Sequence, residues 1–122
     1  MKLTGQPLPF RTSEEWRAWL EENHATAADV WLMIYKKHAD TPSVTLQEAM
    51  QEAICFGWID SRMQPIDEGR YALRFTPRRK TSNWSDRNKG WAAKLIEEGR
   101  MTEAGLAKIE EAKRNGRWDK RG

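Results

Sequence analysis

Between Phe75 and Asn88 the chain places guanidinium groups, hydroxyls, an amide and an indole within fourteen residues, Phe75-Thr-Pro-Arg-Arg-Lys-Thr-Ser-Asn-Trp-Ser-Asp-Arg-Asn88. Arg78 and Arg79 each offer a planar fork that can hold a phosphate or carboxylate through two parallel hydrogen bonds. Ser85 suits a helix N-cap, and the free amides and positive dipole end behind it favour an anion. Ser82, Trp84 and Asn88 would then shape a pocket around the two arginines. A purely structural reading of the same residues stays open. In it Ser82 and Ser85 only cap, Trp84 packs in the core, and the arginines are solvated or paired with carboxylates from the first half of the chain.

A second group is Cys55-Phe-Gly-Trp-Ile-Asp60-Ser61. Asp60 could orient one of the arginines, and Ser61 could donate a hydrogen bond to a ligand. Cys55 lies in an apolar stripe beside Ile54 and Phe56, which favours a buried structural thiol over a nucleophile. His24 and His38 fall in separate loops without chelating spacing, so neither a metal site nor a Ser-His-Asp arrangement is expected. The glycines are scattered and form no phosphate-binding loop. No cofactor is implied. Of the seven tryptophans, Trp16, Trp19, Trp31 and Trp91 fall on faces expected to be buried, whereas Trp84 is the indole placed to face a ligand.

The elements that must position these groups follow from local pattern. Pro7 and Pro9 make residues 1–11 an extended lead-in. Thr12-Ser-Glu-Glu15 has capping-box spacing and opens a helix whose Trp16, Trp19 and Leu20 share a face, ending near Asn23 and His24. Val30 to Tyr35 is a continuous apolar run of strand length, buried on both faces. Thr45-Leu-Gln-Glu48 is a second capping box, followed by the stripe Leu46, Ala49, Met50, Ala53 and Ile54, with Gly57 as the stop. Trp58 to Ile66 and Arg70 to Thr76 form a hairpin around Asp67-Glu68-Gly69. Ser85 caps a helix ended by Gly99. Thr102 caps a last helix, with Met101 and Leu106 as a staple across its start, and Asn115-Gly116 closes it. The order is α, β, α, β, β, α, α.

The chain has 122 residues, 14.3 kDa, 39% hydrophobic and 32% charged residues, and a mean hydropathy of −0.87. That is one domain, 1–122, with 117–122 as a short polar tail. No apolar run approaches the roughly 20 residues needed to span a bilayer, and the N-terminus has no signal-peptide core, so a cytoplasmic protein without membrane insertion is expected. A single cysteine excludes an internal disulfide. Residues 1–61 hold five Lys/Arg against nine Asp/Glu, residues 62–94 nine against three, and residues 95–122 seven against six. The basic middle points to an anionic partner: a small anion, an acidic protein surface or, weakly, nucleic acid. A solvated positive face would carry the same signature.

Four motifs in order, Gly57-Trp-Ile-Asp-Ser61, Thr76 to Ser85 with Asn88, Gly99-Arg-Met-Thr-Glu-Ala-Gly105 and Ala112-Lys-Arg-Asn-Gly-Arg-Trp118, resemble the YdeI/OmpD-associated (OmdA) family from about Phe10 to Trp118. The resemblance implies a small bacterial cytoplasmic protein linked to bacteriocin protection or envelope-stress tolerance, and brings no established reaction. Many members continue beyond the Gly-Arg-Trp segment with a basic helical region, which implies that this chain is a short member or part of a longer one.

The expected fold is α+β: a small antiparallel sheet of about three strands, helices on one face, and the last two helices closing an end. The expected function is a non-catalytic anion- or partner-binding module using Asp60, Ser61, Arg78, Arg79, Ser82, Trp84, Ser85 and Asn88. The alternatives are a small enzyme acting on an anionic metabolite, with Asp60 as its acid/base, and a weak nucleic-acid binder that needs Arg70, Arg74, Arg78, Arg79 and Lys80 on one open face.

Overall fold

In a computed structural model, residues 6–119 are described, and they form an α+β fold of four helices and a four-stranded mixed sheet. Residues 1–5 of the expected lead-in and 120–122 of the expected tail lie outside them. The order is β1 (Leu8–Pro9), α1 (Ser13–Asn23), β2 (Val30–Tyr35), α2 (Leu46–Cys55), β3 (Trp58–Pro65), β4 (Arg70–Pro77), α3 (Asp86–Glu97) and α4 (Glu103–Arg114), with a 3-10 turn at Lys37–Ala39. The strands lie in the order β1-β2-β4-β3.

The sheet differs from the expected three antiparallel strands at one edge. Leu8 and Pro9 pair in parallel with Leu32 and Met33. A proline is tolerated there because an edge strand needs no amide on its outer side.

The helices begin where the caps dictate. Thr45 and Glu48 close a full capping box on α2. On α1, Thr12 accepts the Glu15 amide, but Glu15 reaches one residue further back and takes the Arg11 amide at 2.7 Å. Ser85 and Thr102 cap α3 and α4.

The core joins the helices to one sheet face. Val30, Leu32 and Ile34 of β2 and Leu73 and Phe75 of β4 pack with Trp16, Leu20, Ala53, Ile54, Leu95 and Ile109. Trp31 and Ala72 are buried but lie outside this cluster, as expected for side chains on the opposite face of the pleat. The Trp16 indole N–H donates to the Ala49 carbonyl at 3.0 Å and ties α1 to α2. α4 seats against the end of α2 because Gly105 has no side chain: a Cβ there would strike the Cys55 carbonyl. Gly57, at φ +75, lets the chain leave α2 beside Lys108. The expected Met101–Leu106 staple leaves Leu106 40% exposed.

Candidate functional site

The loop after β4 divides its two arginines. The Arg78 amide donates to the Gly57 carbonyl at 2.9 Å, and its own carbonyl accepts from Lys108 Nζ at 2.7 Å. With its backbone so held, the Arg78 side chain turns inward and is 2% exposed. Its guanidinium lies 3.6 Å from the Trp84 ring centroid, and it donates to Asn88 Oδ1 at 2.6 Å and to the Asn83 carbonyl at 3.3 Å. Its Nε is buried without a hydrogen-bond partner. Burial pushes the Arg78 guanidinium down to about 10, against the opposing pull of the Asp60 charge.

Arg79 points the other way. It is exposed, and its amide donates to Ser82 Oγ at 2.9 Å. Ser85 Oγ accepts the Asn88 amide at 3.1 Å, fixing the side chain that Arg78 needs. The end of α4 pins the loop from outside: Asn115 Nδ2 donates to the Lys80 carbonyl at 2.8 Å, and Trp118 lies 5.1 Å from Trp84 between ring centroids.

The structure therefore gathers Arg78, Trp84 and Asn88 into one buried unit, with Ser82 and Ser85 as its turn and cap. Trp84, expected to face a ligand, is 2% exposed and faces Arg78 instead. Asp60 acts on Arg78 through space without an ion pair, and Ser61 sits exposed at the bulge where β3 loses register with β4. Of the five cations required on one open face for nucleic acid, Arg70 pairs with Asp67, Arg74 pairs with Asp29, and Arg78 is buried.

A concavity that the sequence motifs did not mark lies between the end of β2, the start of α2, Tyr71 of β4 and the first turns of α3. Its volume is about 580 Å³. Ile34 and Tyr71, cross-strand partners in the sheet, line it together with Met50 and Trp91. Burial pushes the Tyr71 phenol above its ordinary value. Lys36, Lys37 and Arg87 line the same space, and no carboxylate does among the described residues. Arg87 and Trp91 share a helix face at i, i+4, with the guanidinium 4.8 Å from the indole centroid. No described carboxylate forms an ion pair with Lys36, Lys37 or Arg87.

Glu52 forms a third polar centre, also missed in the sequence. It is 3% exposed on α2 and accepts from Arg17 at 2.9 Å and from Arg100. Arg17 also donates to the Arg100 carbonyl at 2.9 Å, so one carboxylate joins α1, α2 and the α3–α4 connection. Here the charges satisfy one another. The neighbouring Cys55 is fully buried, and burial pushes its thiol up, with Glu52 acting in the same direction.

Among the described residues there is no cluster of three or more potential metal-ligating side chains, and no helix is long and apolar enough to cross a membrane. The matched family extends over residues 8–108, from β1 into α4, and takes in both the Arg78 unit and the groove. The chain belongs to DUF8412, a domain family of unknown function. No curated protein and no solved structure matches it. In this DUF8412 domain the arrangement can do two things chemically. The Arg78 unit locks a loop, and the groove gathers the rings of Tyr71 and Trp91 with three cations that have no ion-pair partner among the described residues.

Proposed function

We propose that the protein is a non-catalytic module that binds a small amphipathic anion in the groove above Tyr71 and Trp91. One observation carries this reading: three cations without an ion-pair partner line an apolar concavity that contains no carboxylate among the described residues. A concave, mostly apolar space with a few convergent charged groups is the usual form of a small-molecule site. Arg78, with almost no exposed surface, supports the fold around the site, and Arg79 remains on the outer surface. The likeness to the YdeI/OmdA family supplies a cellular setting, bacteriocin protection or envelope-stress tolerance, in which a non-catalytic binder has a place.

Calorimetric titration with 3-phenylpropionate tests the reading, because that ligand joins an apolar ring to a carboxylate. Binding should exceed that of acetate, which lacks the ring, and Arg87→Gln should weaken it by about tenfold or more, one charge-assisted hydrogen bond contributing roughly 1.5–3 kcal/mol. Equal binding of acetate and 3-phenylpropionate, or no effect of Arg87→Gln, would sink it.

A further inference from the structure

The groove does not end at Arg87. It adjoins a smaller chamber of about 230 Å³, and Leu46, Met50 and Arg87 line both spaces. The smaller chamber adds Asp60, Ser61 and Met63 from β3. Asp60 pairs with Phe75 just before the register shift, while Arg62 pairs with Arg74 and Met63 with Leu73 after it, so the bulge lies within this wall. Among the described residues the Asp60 carboxylate makes no hydrogen bond and no ion pair, and it has no ion pair with Arg87 although both line one chamber. Arg62, also in that wall, is engaged in an interaction of its own.

Asp60 acts on the buried Arg78 charge through space, but a simple anion in the groove would give its carboxylate no direct partner. A carboxylate ligand held by Arg87 would gain nothing from a second carboxylate lining the same space, since like charges repel. The repulsion becomes attraction if the ligand carries a positive hydrogen-bond donor beside its negative group. An α-amino acid has this form, with ammonium and carboxylate on one carbon and a side chain free to lie elsewhere. Met50 and Leu46 at the junction, and Trp91 and Tyr71 beyond it, supply the apolar surface for that side chain.

We infer that the groove takes an α-amino acid with a large apolar side chain, as a free molecule or as the zwitterionic head of a close analogue. Arg87 receives the carboxylate, Asp60 the ammonium, and the larger chamber the side chain. This rests on the anion-binding reading above and adds the positive group that the reading lacks.

The test compares L-phenylalanine with 3-phenylpropionate, which lacks the ammonium, and phenethylamine, which lacks the carboxylate. Each is titrated calorimetrically into the wild type, Asp60→Asn and Arg87→Gln, with melting curves confirming that both variants fold. The wild type should bind L-phenylalanine about tenfold or more tighter than either fragment, as expected for one added charge-assisted contact. Asp60→Asn should remove that advantage while leaving 3-phenylpropionate binding unchanged or stronger. Arg87→Gln should weaken both carboxylates together. If the wild type binds 3-phenylpropionate as tightly as L-phenylalanine, or if Asp60→Asn weakens both alike, the amino-acid inference is overturned and anion binding stands. If neither carboxylate binds, both readings fall.

Discussion

Arg78 stacks on Trp84 at 3.6 Å from guanidinium carbon to ring centroid, and through Asn88 it fastens the first turn of α3 to the loop after β4. A planar fork is required to cover the indole while reaching both Asn88 Oδ1 and the Asn83 carbonyl. The most basic stretch of the chain therefore uses one of its arginines as an internal strut.

Arg78→Lys tests that role. A lysine keeps the charge but cannot stack flat and donate in two directions. Denaturant unfolding should show a loss of about 1.5–3 kcal/mol. Arg79→Ala, on the exposed side, should stay within about 0.5 kcal/mol of wild type. Equal stability of Arg78→Lys and wild type would contradict the strut.

Gly105→Ala should be costly although it is conservative in size. The added methyl meets the Cys55 carbonyl and the Met101 sulfur, so α4 must move away from the end of α2. Overpacking of this kind costs about 1–3 kcal/mol, to be read from the urea midpoint. Gly90→Ala is the control, because nothing lies within 4 Å of the methyl it would add.

Glu52→Gln leaves Arg17 and Arg100 without their shared carboxylate. Removal of one partner from a fully buried pair costs about 3–5 kcal/mol, but the Arg17 and Arg100 side chains are 27% and 38% exposed. Water compensates them in part, and a loss of about 1–3 kcal/mol is expected. A variant as stable as wild type would show that the three groups do not hold α1, α2 and the α3–α4 connection together.

Cys55 should react slowly with a thiol reagent in the native protein and rapidly in denaturant. Burial raises its native pKa, so the unfolded chain ionises first as pH increases. The stability this thiol contributes is full below the unfolded thiol pKa and is lost as pH rises through the native value. Cys55→Ala should remove that component of the alkaline decline. Rapid native labelling would show an accessible thiol.

Local signals carried most of the fold. Thr45 with Glu48, Ser85 and Thr102 each satisfy amides within a few residues of themselves, so their helices could be read from short patterns. The pairing of Leu8 with Leu32 could not, because it joins distant residues through a two-residue strand that includes Pro9 and follows Pro7. Glu52 resembles an ordinary solvated face of an amphipathic helix, and it is buried only because Arg17 and Arg100 arrive from elsewhere. The groove was hidden for the same reason. Lys36, Thr45, Tyr71 and Arg87 come from four segments and have no shared spacing. The basic loop had the opposite fate: its dense local chemistry was conspicuous, but Arg78 and Trp84 turned toward each other.

The central claim is that ligand binds in the groove and not at the Arg78–Ser85 loop. Titration of 3-phenylpropionate followed by amide chemical shifts in a proton–nitrogen correlation spectrum tests it most directly. The account predicts saturable shifts at Lys36, Leu46, Met50, Tyr71, Arg87 and Trp91, with Arg79, Lys80 and Ser82 unmoved. Shifts concentrated at Arg79, Lys80 and Ser82, or none that saturate, would contradict it.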